Sequence, residues 1–480
     1  MKKILYLVIS VVIIIIISVL IFELFLQCIP VIYRNLPKDD KKTYVYILGE
    51  SSSWGHPYKG KISFSKIIDY YINTEIDGKE VEFIMLAEDG QRLSQQYLRY
   101  YKYKLFHPFR KGILLAYMGT NDWSYNFSEG SNTWYLNIYL LGFVKNYFNN
   151  MPNFRYEYEK IVFSAQKFGD EIYLSTILGN YAGCRPNNII SLMNDEELRK
   201  EIIEIDNLIS NKEYDAAFKK CNNLLDVRKD KSQIWYRIGK IYERRKQSKE
   251  ANAAYLNGIE YGEDPRPTRY QNKIIRELAV KYDVPLVDVS DKIDNLDEII
   301  GYNYFIDIIH PAVNLHIIIA KEFLNALSKR HRINIIRENN DIYSVSKIEN
   351  VMNFGRQDMF SAYRDALGEI FFYSFYKNIS DLYNIPKMQE YIEKLKELDK
   401  EINYESEGNI EEQAKRKDII YISELIFAYI QGNYSKVKEM LNNKKIVEKI
   451  KFEEIEMQCW WAFKNWIIDF MYKTINNEVG

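Results

Sequence analysis

Short apolar runs alternate with longer stretches of helical period, and this alternation leaves few folds open. Residues 44–48 (YVYIL), 81–87, 112–118, 171–178 and 284–289 read as strands, rich in β-branched and aromatic side chains. Between them, 64–74 carries Phe64, Ile67, Ile68 and Tyr71 at helical spacing, 93–103 is a helix rich in Gln and Tyr, and 314–328 is a closing helix. Strands separated by helices predict an α/β fold with a parallel sheet covered on both faces. In such sheets ligands bind beyond the carboxyl ends of the strands. Ser51, Gly90, Asn121 and Asn180 each fall just after a strand, so that edge is the expected site.

At 480 residues the chain is too long for one ordinary core and predicts two or three domains. Apolar residues make up 47% and charged residues 27%, a globular composition. With 65 basic against 66 acidic residues, there is no electrostatic case for a nucleic-acid partner. Cys28, Cys184, Cys221 and Cys459 are far apart and form no C-x-x-C pair, so neither a zinc site nor a redox site is expected. The 40 tyrosines leave two readings open, a general compositional bias or a surface on which carbohydrate stacks.

The N-terminus has its own logic. Residues 4–22 carry no formal charge, Glu23 interrupts the run, and 24–29 continues it. That length suits a membrane-spanning helix of about 20 residues. A cleaved signal peptide would be shorter and would end in small residues, whereas Phe25, Leu26 and Gln27 follow here. Gln27 before Cys28 also argues against lipoprotein cleavage. Lys2 and Lys3 lie on one side, and Arg34, Lys38, Lys41 and Lys42 on the other, so the positive-inside rule alone does not favour an outward C-terminus. A very short tail ahead of the apolar run still reads as a signal anchor in 1–29. The expectation is a single-pass membrane protein with its main part outside the cytoplasm, joined by a polar linker, 30–42.

Between the fourth and fifth strands the pattern becomes helical. Residues 202–228 and 232–262 read as helix pairs, and Tyr214, Ala217 and Leu224 recur in role as Ser248, Ala251 and Gly258 after a period of about 34 residues. Trp235, Ile238, Gly239, Tyr242, Ala251 and Tyr255 fit tetratricopeptide spacing. Fewer than three repeats rarely stand alone, so these should lean on the sheet and offer a surface to a protein partner. An ordinary helical insertion is the alternative. From 331 onward the chain reads as helical, with a charged amphipathic helix at 387–402, a helix pair at 418–442 turning at Gly432, and Trp460, Trp461 and Trp466 in a late apolar helix.

Four blocks carry the chemistry. In GESSSWG (49–55), Ser51 stands at a strand-to-helix turn, where a nucleophile can be exposed; serine also caps helices routinely. Gly90 follows the second strand and permits positive φ and close backbone approach. In GTND (119–122), Asn121 offers a side-chain N–H to a developing oxyanion, or forms a simple Asx turn. In DIIHP (307–311), an Asp three residues before a His holds the imidazole by one nitrogen and leaves the other free to take a serine proton. Of the five histidines only His310 has this setting; His56, close to Ser51, is at most a residue of the pocket.

In this order, and at the ends of these strands, the blocks resemble those of the SGNH (GDSL-type) hydrolases, over about 43–190 and 270–329. The resemblance implies a three-layer, flavodoxin-like parallel sheet in two parts, 43–195 and 267–330. These would be interrupted by a tetratricopeptide-like insertion at 196–266 and followed by a helical C-terminal domain at 331–480. It implies Ser51 as nucleophile, His310 as general base and Asp307 as its orienting acid. Gly90, Asn121 and the Ser51 N–H would form the oxyanion hole. Asn180, in a segment resembling a loop of relatives with such insertions, would line the substrate pocket. The reaction implied is ester hydrolysis without metal or cofactor, on O-acyl groups of a cell-surface glycan or on a lipid or short-chain ester. An O-acyltransferase with the same triad, and a non-catalytic repeat-bearing interaction protein, remain alternatives. Two positions depart from the family pattern: Glu50 replaces the usual Asp, and Met85 stands where many relatives have Asn.

Overall fold

The computed structural model describes residues 10–11, 13–15, 17–21, 28–29, 32–38, 41–72, 75–122, 153–186, 195–228, 231–262, 264, 266–333, 335, 344–375, 385–405 and 410–441. Strand β1 (Lys42–Leu48) leads to the short helix α1 (Ser51–Trp54) and to α2 (Phe64–Tyr71). Next come β2 (Glu75–Ile76), β3 (Lys79–Met85), α3 (Leu93–Phe106), β4 (Gly112–Ala116), α4 (Phe154–Phe168) and β5 (Glu171–Ser175). Helices α5 (Glu196–Ser210), α6 (Tyr214–Val227), α7 (Ser232–Arg244) and α8 (Ser248–Glu260) intervene before α9 (Arg269–Tyr282), β6 (Leu286–Val287), α10 (Val289–Asp294) and α11 (Val313–Ser328). The later helices are α12 (Val345–Val351), α13 (Arg356–Phe375), α14 (Ile385–Glu405), α15 (Ile410–Ile430) and α16 (Tyr434–Leu441).

The fold is mixed α/β around a six-stranded sheet in the order β2-β3-β1-β4-β5-β6. Neighbouring strands are parallel, except that β2 runs antiparallel to β3 through the turn Asp77-Gly78. Strands β1 and β4 lie mid-sheet and are buried along nearly their whole length. A strand covered on both faces has no solvent side, which is why YVYIL and GILLA are continuous apolar runs. Helix α2 packs against α11, with Phe64 stacked on Phe323 at 5.2 Å, while α3 packs on α4 and α4 on α9.

Register brings the strand ends level: Ile47 pairs with Met85, and Leu48 with Ala116. The ladders stop a few residues earlier than the apolar runs suggest. Beyond them single bonds persist, such as Leu86 N–H to Ile47 O (3.0 Å) and Tyr117 N–H to Leu48 O (3.2 Å). There the chain peels away to form the loops of the sheet's carboxyl edge.

Helices α5–α8 keep a small core of their own, built from Leu198, Ile205, Ala217, Cys221, Ile234 and Ile238. Their other face joins the main core through Tyr236, Ala251, Tyr255 and Ile259. Tyr236 donates to Ala182 O at 3.1 Å, and the Asn252 side chain bridges Glu298 O and Ile300 N–H. Among the described helices after 331, Phe360, Leu367, Ile370, Met388 and Leu395 belong to the same apolar cluster as β1 and β4. Lys61, just before α2, pairs with Asp358 at 2.7 Å. Among the described residues Cys28, Cys184 and Cys221 form no disulfide. Among the described residues no helix is long and apolar enough to cross a membrane; much of 4–29 lies outside them, as do Cys459, Trp460, Trp461 and Trp466.

Candidate active site

The turn after β1 is built around glycine. Gly49 has φ +153°, and a Cβ there would lie 2.3 Å from Tyr117 O and 2.1 Å from Ser53 Oγ. Only glycine lets the turn sit this close to β4. The three serines are then sorted by their partners. Ser53 donates to Tyr117 O at 2.6 Å, and Ser52 reaches Ile309 O at 3.4 Å. Ser51 lies 2.8 Å from His310 Nε2. The Ser51 N–H belongs to the first turn of α1, where helix geometry supplies no acceptor.

His310 and Asp307 come from the loop between α10 and α11. Asp307 is fully buried; its Oδ2 is 2.7 Å from His310 Nδ1, and its Oδ1 accepts the N–H groups of Ile309 (3.0 Å) and His310 (2.8 Å). Burial acts to raise the Asp307 pKa, but the charge and hydrogen bonds of His310 outweigh it and hold the carboxyl below its ordinary value. For His310, burial acts to lower the pKa, and Asp307 reverses this to a net rise. The carboxylate therefore fixes the tautomer in which Nδ1 carries the proton and Nε2 faces Ser51.

The other loops of this edge are tied to one another. Gly90 is exposed with φ +70°, a conformation that favours glycine. Half-buried Asn121 donates from Nδ2 to Gln91 O at 2.9 Å, joining the second and third blocks and leaving its other amide hydrogen over. The composition of α3 did not single out Gln96, yet it is central: its Oε1 accepts from Gly49 N–H at 3.1 Å, and its Nε2 donates to Gln91 Oε1 at 2.6 Å. Asp122 is buried and accepts from Leu93 N–H. Gln271 of α9 supports Gly119 O at 2.8 Å.

Glu50 is fully buried under the serine turn and accepts from Gly119 N–H at 2.6 Å and Thr120 Oγ1 at 3.0 Å. It braces the first block against the third. Burial first and the charge of Asp122 second push its pKa up to about 8. Met85, the other departure, is the last residue of β3 and half-buried.

His56 joins the cluster. Its ring lies 4.3 Å from that of His310, its Nδ1 is 3.6 Å from Asp89 Oδ2, and its buried Nε2 has no hydrogen-bond partner among the described residues. His56, Asp307 and His310 present possible metal-ligand atoms within 4.8 Å of one another. A cation there would engage His310 and Asp307, whose facing atoms already bond each other. Asn180 is placed differently from the expectation that it lines the pocket. It is fully buried, its Nδ2 donates to Asp307 O at 2.7 Å, and its Oδ1 accepts from Gly183 N–H at 2.7 Å. It braces the acid loop from behind.

Such a cluster can move a proton from a serine hydroxyl to an imidazole and hold negative charge on an oxygen beside it. Compared with protein-family models and with curated proteins, the chain matches none.

Proposed function

We propose that this protein is a serine ester hydrolase of the SGNH type. The observation that carries the proposal is the buried relay from Ser51 Oγ to His310 Nε2 (2.8 Å) and from His310 Nδ1 to Asp307 Oδ2 (2.7 Å). The parallel strand order β3-β1-β4-β5-β6 supports a flavodoxin-like reading, in which ligands bind at the carboxyl edge.

In the proposed reaction His310 Nε2 takes the Ser51 proton as Oγ attacks the ester carbonyl. The N–H groups of Ser51 and Gly90 and the Asn121 amide receive the oxyanion. His310 then protonates the leaving alcohol. A water molecule, deprotonated by His310, releases the acid from Ser51. Ser51→Ala should abolish turnover of nitrophenyl acetate and labelling by a fluorophosphonate. Asn121→Ala should leave weak activity, down by roughly 100- to 1,000-fold. Undiminished turnover by Ser51→Ala would overturn the assignment. Acetylated sugars tested beside short-chain glycerol esters separate a glycan substrate from a lipid one.

The apolar segment 4–29 supports a membrane anchor with the catalytic part outside the cytoplasm. The described residues between 10 and 21 are helical, and Val11, Ile14, Ile15, Leu20 and Ile21 are exposed, as suits a bilayer. The full chain should stay with membranes through alkaline carbonate extraction; its release would refute the anchor.

A further inference from the structure

The helical insertion returns to the sheet at a buried arginine. Arg266 is 1% exposed, and Asp264 grips it from one side: Nε donates to Oδ1 and Nη2 to Oδ2, both at 2.7 Å. The remaining arm, Nη1, donates to Asn180 O (2.7 Å) and Cys184 O (2.6 Å), with Tyr181 O at 3.4 Å. One guanidinium thus gathers the carbonyls of the loop after β5. A planar fork with fixed donors can do this, whereas an ammonium cannot match it.

That loop in turn holds the acid. Asn180 N–H donates to Ile308 O at 3.0 Å, and Asn180 Nδ2 donates to Asp307 O at 2.7 Å. Asp307 is therefore held at its backbone carbonyl by Asn180 and at its carboxylate by His310 and the Ile309 N–H. The loop cannot shift without moving Asp307, and it is set by Arg266.

We propose that Arg266 and Asn180 are positioning residues for the catalytic acid. They link the end of the helical insertion to the Asp307–His310 pair in one buried chain of hydrogen bonds. The inference rests on the serine-hydrolase reading above and extends it: neither residue touches the reacting atoms, and both act through Asp307. When the acid is held less well, the imidazolium of His310 loses its stabilising partner while its burial stays. The acidic limb of Ser51 reactivity, which reports His310, then moves to lower pH. The titratable groups facing His310 are Asp307, His56, Asp89, Glu369 and His316, and both substitutions below leave all of them in place.

The test is the rate of Ser51 modification by a fluorophosphonate as a function of pH, normalised to the serine that finally labels. It is run on the full chain and on Arg266→Lys, Asn180→Ser and Arg237→Lys. Arg237 is a buried arginine of α7, paired with Asp206 and bonded to Gln233, and controls for the loss of an arginine ion pair away from the site. Arg266→Lys and Asn180→Ser should each slow labelling by about 10- to 100-fold, the scale of a small misplacement of a catalytic group. Both should shift the acidic limb downward, with Arg237→Lys unchanged in both respects. An unshifted limb with full rate in the first two variants, or the same loss in Arg237→Lys, overturns the proposal. If Arg266→Lys fails to fold by circular dichroism, Asn180→Ser decides, because it keeps Arg266 and its carbonyl contacts and removes the Asn180 side-chain bonds to Asp307 O and Gly183 N–H. A wild-type chain that never labels sinks the serine-hydrolase reading itself, a distinguishable result.

Discussion

Glu50 shows how a small change of residue reshapes a site. One methylene longer than the aspartate expected there, it reaches the Gly119–Thr120 turn and bonds both groups from a fully buried position. Raised to about 8 by burial and by Asp122, it keeps its proton in the folded chain over a range where the unfolded chain, near 4.5, has lost it. The stability that Glu50 contributes is therefore full below about pH 4.5 and is given up as pH rises toward 8. Glu50→Gln copies the neutral acid. Its unfolding midpoint should vary less than the wild type's over that range, with esterase activity retained within several-fold. Equal pH slopes in the two proteins would show that Glu50 is ionised throughout. At this scale the sequence was informative where chemistry fixes spacing. Asp307 and His310, three residues apart, can meet within a single turn, and they do. Asn180 shows the limit: its position after a strand was legible, but its direction depends on Arg266, a residue from the far end of the insertion. The only sequence signal for that arginine is an Asp and an Arg alternating with prolines in 264–267.

Among the elements, the helical insertion follows its sequence most closely. The helix starts Tyr214 and Ser248 fall at the two ends of the 34-residue period that their sequences suggested. Gly239 explains part of the packing: a Cβ there would lie 2.5 Å from ring atoms of Tyr255. Gly239→Ala should separate α7 from α8 and cost roughly 1–3 kcal/mol, as overpacking does. Chemical denaturation would measure this, and an unchanged midpoint would mean that Tyr255 moves aside freely. The strands were legible as apolar runs, but their ends were not, because the residues that leave the ladder stay as apolar as those within it. Tyr117 and Met118 are both fully buried and lie outside β4. The hairpin strand β2 was missed altogether. It is two residues long, and its turn at Asp77 is held by the segment after α11, through Arg332 N–H (2.7 Å) and His331 (2.8 Å).

For the whole molecule, the described helices after 331 are tied to the sheet by a shared apolar cluster. Composition marked them as a further helical domain, yet Phe360, Leu367, Ile370 and Met388 share one core with the sheet. A chain ending at residue 330 would expose that surface to water. It should be insoluble or should lose fluorophosphonate labelling; a soluble, labelled fragment would restore the independent domain. Charge and hydropathy cannot reveal this in advance, since an amphipathic helix buries the same face against its own domain or another's. The separation of Ser51 from His310 by 259 positions has a consequence in time. At typical synthesis rates Ser51 leaves the ribosome on the order of 10 to 50 s before His310 does. On the proposed reading Ser51 is an ordinary hydroxyl throughout that interval, and the growing chain gains its reactivity only when the sheet has closed on its last strand.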